Sequence, residues 1–321
     1  MDGLVRDPFR EDVIEGLSRK QKAIPSRWLY DERGSQLFDE ITELPEYYPT
    51  RTELGILRGE ADQMAASIGP EAVLVEYGAG SLMKVRILLD ALERPAAFVP
   101  VDISASHLET AANELRADYP TLDIHPIASD FMASNLGETL PRSSGRRAGF
   151  FPGSTVGNLS DAEIQRFLSN ARADLGDDGC FIIGLDQPKS PDVLIPAYDD
   201  AQGVTAAFNK NLLARINREL GGTFDLEAFA HEARWNATDS RIEMHLVSLK
   251  DQRVKAAGEA FDFESGETIH TENSRKIALD RFAELATAGG WSLTRSWKDK
   301  DGFFAVMLLE ASKGRIGGEG T

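Results

Sequence analysis

Three places in this sequence carry residues suited to a nucleotide-like ligand. Glu76-Tyr77-Gly78-Ala79-Gly80 closes the short apolar run 73–75. It opens a segment whose apolar residues Val85, Leu88, Leu89 and Leu92 fall at helical spacing. Glycines such as Gly78 and Gly80 at a strand-to-helix turn let a ligand approach the backbone closely, and a helix start offers unpaired N–H groups. Asp102 closes a second apolar run, where a carboxylate can accept hydrogen bonds from both hydroxyls of a ribose. Asp130-Phe131 follows a third; an acid there can meet an exocyclic amine, and the ring can stack on a purine. Gly-x-Gly alone also describes any tight strand–helix turn. Ligand-type residues at successive strand ends say more, because open α/β sheets bind ligands at the carboxyl ends of their strands.

Those ends need strands to present them. Apolar runs at 73–77, 98–102, 124–127, 149–151 and 180–185 alternate with helical stretches. That rhythm implies a parallel sheet covered on both faces. Residues 1–62 read instead as helices around a turn-rich middle, with helical spacing over 35–41 and a restart at Pro49-Thr50-Arg51-Thr52. Between about 190 and 270 the rhythm breaks into a long helix over 204–220 and polar, strand-like pieces. It resumes with a helix over 277–288 and two strands, 292–297 and 303–309. The expected organisation is an α/β cofactor domain from 63–190 and 275–321, and a second domain from 1–62 and 191–274.

Composition narrows the partners. Hydrophobic content of 42% and charged content of 27% suit a globular chain with a sizeable core. A formal charge of −17 disfavours nucleic acid and anionic membranes. No stretch reaches the roughly 18 apolar residues of a membrane span. Residues 1–20 lack the apolar core of a signal peptide, and the lone Cys180 fits a reducing compartment, so a cytoplasmic monomer is expected. Cys180 reads as a small core side chain, and the glycine-rich end 313–321 as frayed. His107, His125, His231, His245 and His270 show no metal-ligand spacing, so no metal is expected.

Two cofactors compete for the strand ends. A dinucleotide site asks for Gly-x-Gly-x-x-Gly, and Met83 occupies the third glycine position. The helix and hairpin over 277–309 look like the reversed last strand of class I methyltransferases. S-adenosylmethionine (SAM) is therefore favoured over NAD.

The chain as a whole resembles the bacterial ergothioneine-biosynthetic, histidine-specific N-methyltransferases, from about residue 21 to residue 309. The resemblance rests on Trp28-Leu29-Tyr30-Asp31, on Leu44-Pro45-Glu46-Tyr47-Tyr48-Pro49-Thr50-Arg51 and on Gly153-Ser154-Thr155-Val156-Gly157-Asn158-Leu159. Further blocks are Ala197-Tyr198-Asp199-Asp200, Gly203-Val204-Thr205-Ala206-Ala207-Phe208-Asn209, Arg241-Ile242-Glu243-Met244 and Thr271-Glu272-Asn273-Ser274. It implies a class I, Rossmann-like SAM sheet with a second, substrate-binding domain built from the N-terminal segment and an insertion. It also implies methylation of the α-amino group of L-histidine, three times, to the betaine hercynine. Gly78, Lys84, Asp102, Asp130 and Phe131 would contact the cofactor. Tyr47, Asn158 and Tyr198 would hold the substrate carboxylate and backbone. Glu272 and Ser274 would read the imidazole beside Met244, and Tyr30 and Phe38 would lie at the reacting amine. Two departures stand out: Tyr77, where an aliphatic residue is expected, and Leu82-Met83 before Lys84, where polar ones are.

Taken without the resemblance, these residues keep plainer readings. Asn158 could be a turn residue, Tyr47-Tyr48 a buried aromatic pair and Tyr198 a packing residue at a helix start. Ser274 could cap a helix from 275. A Glu–Ser pair suits imidazole, which offers one donor and one acceptor. Indole offers no acceptor, which counts against the alternative of a tryptophan methyltransferase. A non-catalytic SAM-binding module is the third reading.

Overall fold

The computed structural model describes residues 7–80, 82–132 and 136–312, and the side chains of Ser106 and His107 are not among those described. The glycine-rich end 313–321 and the first six residues of the N-terminal stretch lie outside the described residues. The chain forms two compact units, Met1–Tyr48 with Lys189–Arg275, and Pro49–Pro188 with Lys276–Thr321. The expected boundary at 62/63 instead falls inside the helix Tyr48–Ile68. Leu57, Met64 and Ile68 on that helix all pack with Leu74 and Leu88 in one core, so its apolar stripe ties the helix from Pro49 onward to the second unit.

The second unit is built on one sheet with strand order Trp291–Lys298, Phe304–Ala311, Cys180–Asp186, Arg147–Phe151, Val73–Tyr77, Ala97–Asp102, Asp123–Ile124. Neighbours from Cys180–Asp186 to Asp123–Ile124 are parallel, while Phe304–Ala311 runs antiparallel to both of its neighbours. This is the α/β class expected, with its one reversed last strand, Phe304–Ala311. Val73–Tyr77 is buried at every position, as a parallel strand covered on both faces must be. Strand order changes direction between it and Arg147–Phe151, which makes its carboxyl end a topological switch point. The run expected at 124–127 splits into Asp123–Ile124 and Ile127–Ala128, both paired with Ala97–Asp102. Pro126 between them has no N–H for the ladder. Tyr77 packs its ring 5.4 Å from both Phe167 and Phe181, a core role. Cys180 is fully buried, and burial pushes its thiol up to about 12. Lys276 and Asp186 form a 2.7 Å ion pair with side chains 0% and 1% exposed, where the chain re-enters and leaves this unit.

The first unit has its own sheet, in the order Lys22–Ala23, Thr268–Arg275, Arg241–Ser248, Phe229–Asn236. The first pairing is parallel and the other two antiparallel. Helices Glu32–Thr42, Pro191–Tyr198 and Val204–Leu220 accompany it. Asp200 holds the start of the last by accepting from the backbone N–H groups of Val204 (3.0 Å) and Thr205 (2.7 Å). Thr271 to Ser274 lie inside the strand Thr268–Arg275, and the next helix starts only at Leu279 after the N-cap Ala278. Ser274 is therefore not a helix cap. Among the described residues, no helix is long and apolar enough to cross a membrane.

Candidate active site

In the second unit the glycine turn follows directly on Val73–Tyr77. Gly78 has φ +68°, a conformation other residues adopt only with strain. Gly80 has no such φ, and a Cβ there would meet nothing within 4 Å. The amides expected to face a ligand are engaged: Gly78 N and Ala79 N both donate to the Val101 carbonyl, at 2.8 and 3.0 Å. The helix Met83–Ala91 begins after Leu82, which is buried and left-handed at φ +54°. The two apolar residues that depart from the family pattern thus form an uncapped, strained helix start.

Asp102 accepts from the Ser104 N–H at 2.9 Å and Asp130 from the Met132 N–H at 2.8 Å, which fixes both carboxylates at strand ends. Phe131 packs against Phe151 (5.3 Å) and Phe167 (5.5 Å), and lies within 3.8 Å of where a Cβ on Gly78 would stand. Lys84 does not stand alone. Its Nζ is 2.6 Å from Glu53, whose carboxylate also accepts from Gly153 N at 2.9 and 3.0 Å. Glu76 is buried, and its Oε2 has no hydrogen-bond partner among the described residues. Burial pushes Glu76 up to about 8; Lys84 opposes this, while Glu53 and Asp102 add to it. Three acids and one lysine around the switch point suit a ligand carrying positive charge, and Glu76 Oε2 is the atom that lacks a partner.

In the first unit the structure brings together seven of the residues singled out for the substrate. Tyr30 stands 5.6 Å from Phe38, Phe38 is 6.2 Å from Tyr47, and Tyr47 is 5.9 Å from Tyr198, ring to ring. The Tyr30 hydroxyl donates to Glu272 Oε1 at 3.2 Å, and the Tyr198 and Ser274 hydroxyls share a 2.7 Å hydrogen bond. Met244 pairs with Glu272 across the strands. Glu272, Ser274, Tyr47, Tyr198 and Met244 are all buried. Burial, then Glu272, raise Tyr30 well above the ordinary phenol value, so it stays protonated. Asn158, by contrast, belongs to the second unit, at the end of the one-turn helix Thr155–Asn158.

Several residues escaped the sequence reading. Phe208 touches both Tyr30 (5.4 Å) and Phe38 (6.0 Å) and completes the aromatic cluster. Asn209 is fully buried and joins three strands: its Nδ2 meets His231 Nδ1 (2.9 Å) and the His245 carbonyl (3.2 Å), and its Oδ1 accepts from Thr271 (2.7 Å). Both residues lie in a quoted block, and their helical spacing from Thr205 and Leu212 was the available signal. Glu53 gave none, because an acid within a helix reads as solvent-facing and meets Lys84 only through the fold. His245 and His270, far apart in the chain, stack at 4.9 Å beside Glu243.

A family model described as histidine-specific methyltransferase, SAM-dependent, matches residues 9–311. The chain is 44% identical over 308 residues to the histidine N-alpha-methyltransferase of Mycolicibacterium smegmatis, with 94% of each chain covered. It is 41% identical over 305 residues to that of Mycobacterium tuberculosis, again with 94% of each covered. A solved S-adenosylmethionine-dependent methyltransferase from Clostridium acetobutylicum shares the fold, with TM-score 0.52 at 11% identity over 87% of this chain and 99% of that one.

Proposed function

The chain belongs to the family of histidine-specific, SAM-dependent methyltransferases, and from that premise we propose that it methylates the α-amino nitrogen of free L-histidine. Three successive transfers would give hercynine, a step toward ergothioneine.

The observation that carries the substrate reading is the pair of polar couples on the strand Thr268–Arg275: Tyr30 with Glu272, and Tyr198 with Ser274. An imidazole offers one N–H and one ring-nitrogen acceptor. Glu272 can accept from the first and Ser274 donate to the second, with Met244 opposite Glu272 as an apolar neighbour. Within the first unit, Tyr47 and Tyr198 are neutral donors suited to the α-carboxylate, and they would anchor it without burying a second charge. Tyr30, kept as a neutral phenol, and the face of Phe38 would border the amine.

SAM, when bound, supplies a methyl group already activated on a sulfonium. Asp102 would accept from the ribose hydroxyls, and Asp130 with Phe131 would hold the adenine. The buried, unpartnered Oε2 of Glu76 suits the ammonium of its amino-acid end. Lys84 serves this site through Glu53 and the Gly153 turn. The same reading makes the protein a cytoplasmic monomer acting on a small molecule, which its charge of −17 supports against a nucleic-acid partner.

Incubation with SAM and a panel of free amino acids, read by mass, tests it. Histidine should gain up to three methyl groups and the other amino acids almost none. Preference for tryptophan would replace the substrate. Cofactor binding by calorimetry with no methylated product would leave a binding module.

A further inference from the structure

Register sorts the side chains of the first unit's sheet onto two faces. Glu243 and His245 are two apart on the strand Arg241–Ser248 and share a face, while Met244 between them takes the other. His245 stands directly opposite His270 on Thr268–Arg275. A register shift then falls between His270 and Glu272, so that Glu272 stands opposite Met244. Without that bulge, His270 and Glu272 would share a face. With it, Met244, Glu272 and Ser274 lie on one face, and Glu243, His245 and His270 on the other.

The second trio has the chemistry of a metal site. Its candidate ligand atoms lie within 4.8 Å of one another. His245 Nε2 is 3.2 Å from Glu243 Oε2. Two donors bound to one tetrahedral zinc lie about 3.4 Å apart, given metal–ligand distances of about 2.1 Å. An ion can therefore take the place of the proton between these two atoms. The outer contacts are those that orient ligands. Glu243 Oε1 is held by Asn236 Nδ2 (2.9 Å) and Arg241 Nε (2.7 Å), which leaves Oε2 for the histidine side. His270 Nε2 meets the Glu272 carbonyl at 3.0 Å, which places the proton there and the lone pair on Nδ1. His245 is buried, and with an ion on Nε2 its proton moves to Nδ1, which has no partner among the described residues. Glu232 stands opposite His245 on the third strand and offers a further carboxylate on the same face, next to Arg234.

We propose that Glu243, His245 and His270 bind one divalent transition-metal ion of the zinc class, with the fourth position left to water or Glu232. Two imidazoles and a carboxylate select zinc, nickel or copper over magnesium or calcium. The ion would clip together the two strands whose opposite face carries the proposed imidazole readers. It takes no part in methyl transfer.

The test uses the full chain without an affinity tag, stripped with EDTA and free of histidine, which is itself a chelator. Calorimetric titration with zinc chloride should show one saturable site per chain, and zinc should raise the melting temperature, since it binds the folded form. His270→Ala and Glu243→Gln should each weaken binding by roughly 10- to 100-fold or more. Cobalt(II) should give tetrahedral visible bands that both variants lose. Glu243→Gln keeps size and hydrogen bonding, so it serves even where His270→Ala melts early. Absence of a saturable site, or unchanged zinc affinity in folded Glu243→Gln and His270→Ala, overturns the assignment. Neither result bears on histidine methylation.

Discussion

Replacing Glu272 by alanine separates recognition from support. Its carboxylate is buried and accepts from the Tyr30 hydroxyl at 3.2 Å. If it also accepts the imidazole N–H, that bond is charge-assisted and contributes about 1.5–3 kcal/mol. At about 1.4 kcal/mol per factor of ten, kcat/KM for histidine should fall about 10- to 150-fold. Phenylalanine, which has no ring N–H to give Glu272, should lose much less, so the ratio of the two substrates moves by nearly the whole factor. Removing the side chain also strips Tyr30 of its acceptor, at a net cost of about 0.5–1.5 kcal/mol to stability. Glu272→Gln keeps an acceptor for Tyr30 and loses only the charge, so it should melt like the parent and still discriminate poorly. Steady-state rates with both amino acids, alongside melting curves for both variants, make the comparison. An equal loss for every substrate, tracking a lower melting temperature, would refute the recognition role and leave Glu272 as support for the strand.

Asp102→Ala should weaken SAM binding about 10- to 150-fold, as loss of a hydrogen-bonded carboxylate does; unchanged affinity by calorimetry would remove it from the site. Glu76 is uncharged in the folded chain below about 8, whereas the unfolded chain ionises near 4.5. The folded state holds the extra proton across that window, so stability without ligand should fall as pH rises through it. Glu76→Gln should flatten that fall in urea titrations, and an unchanged slope would contradict it. SAM binding near pH 7 should expel the same proton, seen as a buffer-dependent calorimetric heat that Glu76→Gln abolishes. At Gly184 an added Cβ would overlap Glu53 Oε1, so Gly184→Ala should cost about 1–3 kcal/mol in urea denaturation through the displaced Glu53–Lys84 pair. Tyr198→Phe should weaken histidine binding more than cofactor binding, and histidinamide binding to the parent as tightly as histidine would remove the carboxylate-anchoring role.

Local periodicity made the second unit's sheet readable, because parallel strands buried on both faces are continuous apolar runs such as Val73–Tyr77. The first unit's strands follow no regular burial period and carry many polar residues, so residues 271–274 looked like a helix cap as readily as part of a strand. Its meaning lies in cross-strand partners, His270 with His245 and Glu272 with Met244, which chain spacing does not encode. The boundary at Pro49 was hidden for a related reason: the helix Tyr48–Ile68 is locally uniform, and only its partners show where it belongs. The strand-end acids Asp102 and Asp130 were legible because chain order places them there, whereas Glu53 and Lys84 meet across long separations.

The buried pair of Lys276 and Asp186 bears on how this chain can change over generations. Two opposite charges buried out of solvent stabilise little as a pair, yet removing either one strands the other, at about 3–5 kcal/mol. A domain's whole stability is about 5–15 kcal/mol, so a single substitution at either position uses up much of that margin. Replacing both with apolar residues of matched volume is close to neutral. The acceptable states are thus two, separated by intermediates that fold poorly. A lineage can cross between them only by near-simultaneous replacement or with stability held in reserve, and drift one position at a time keeps the pair where it is.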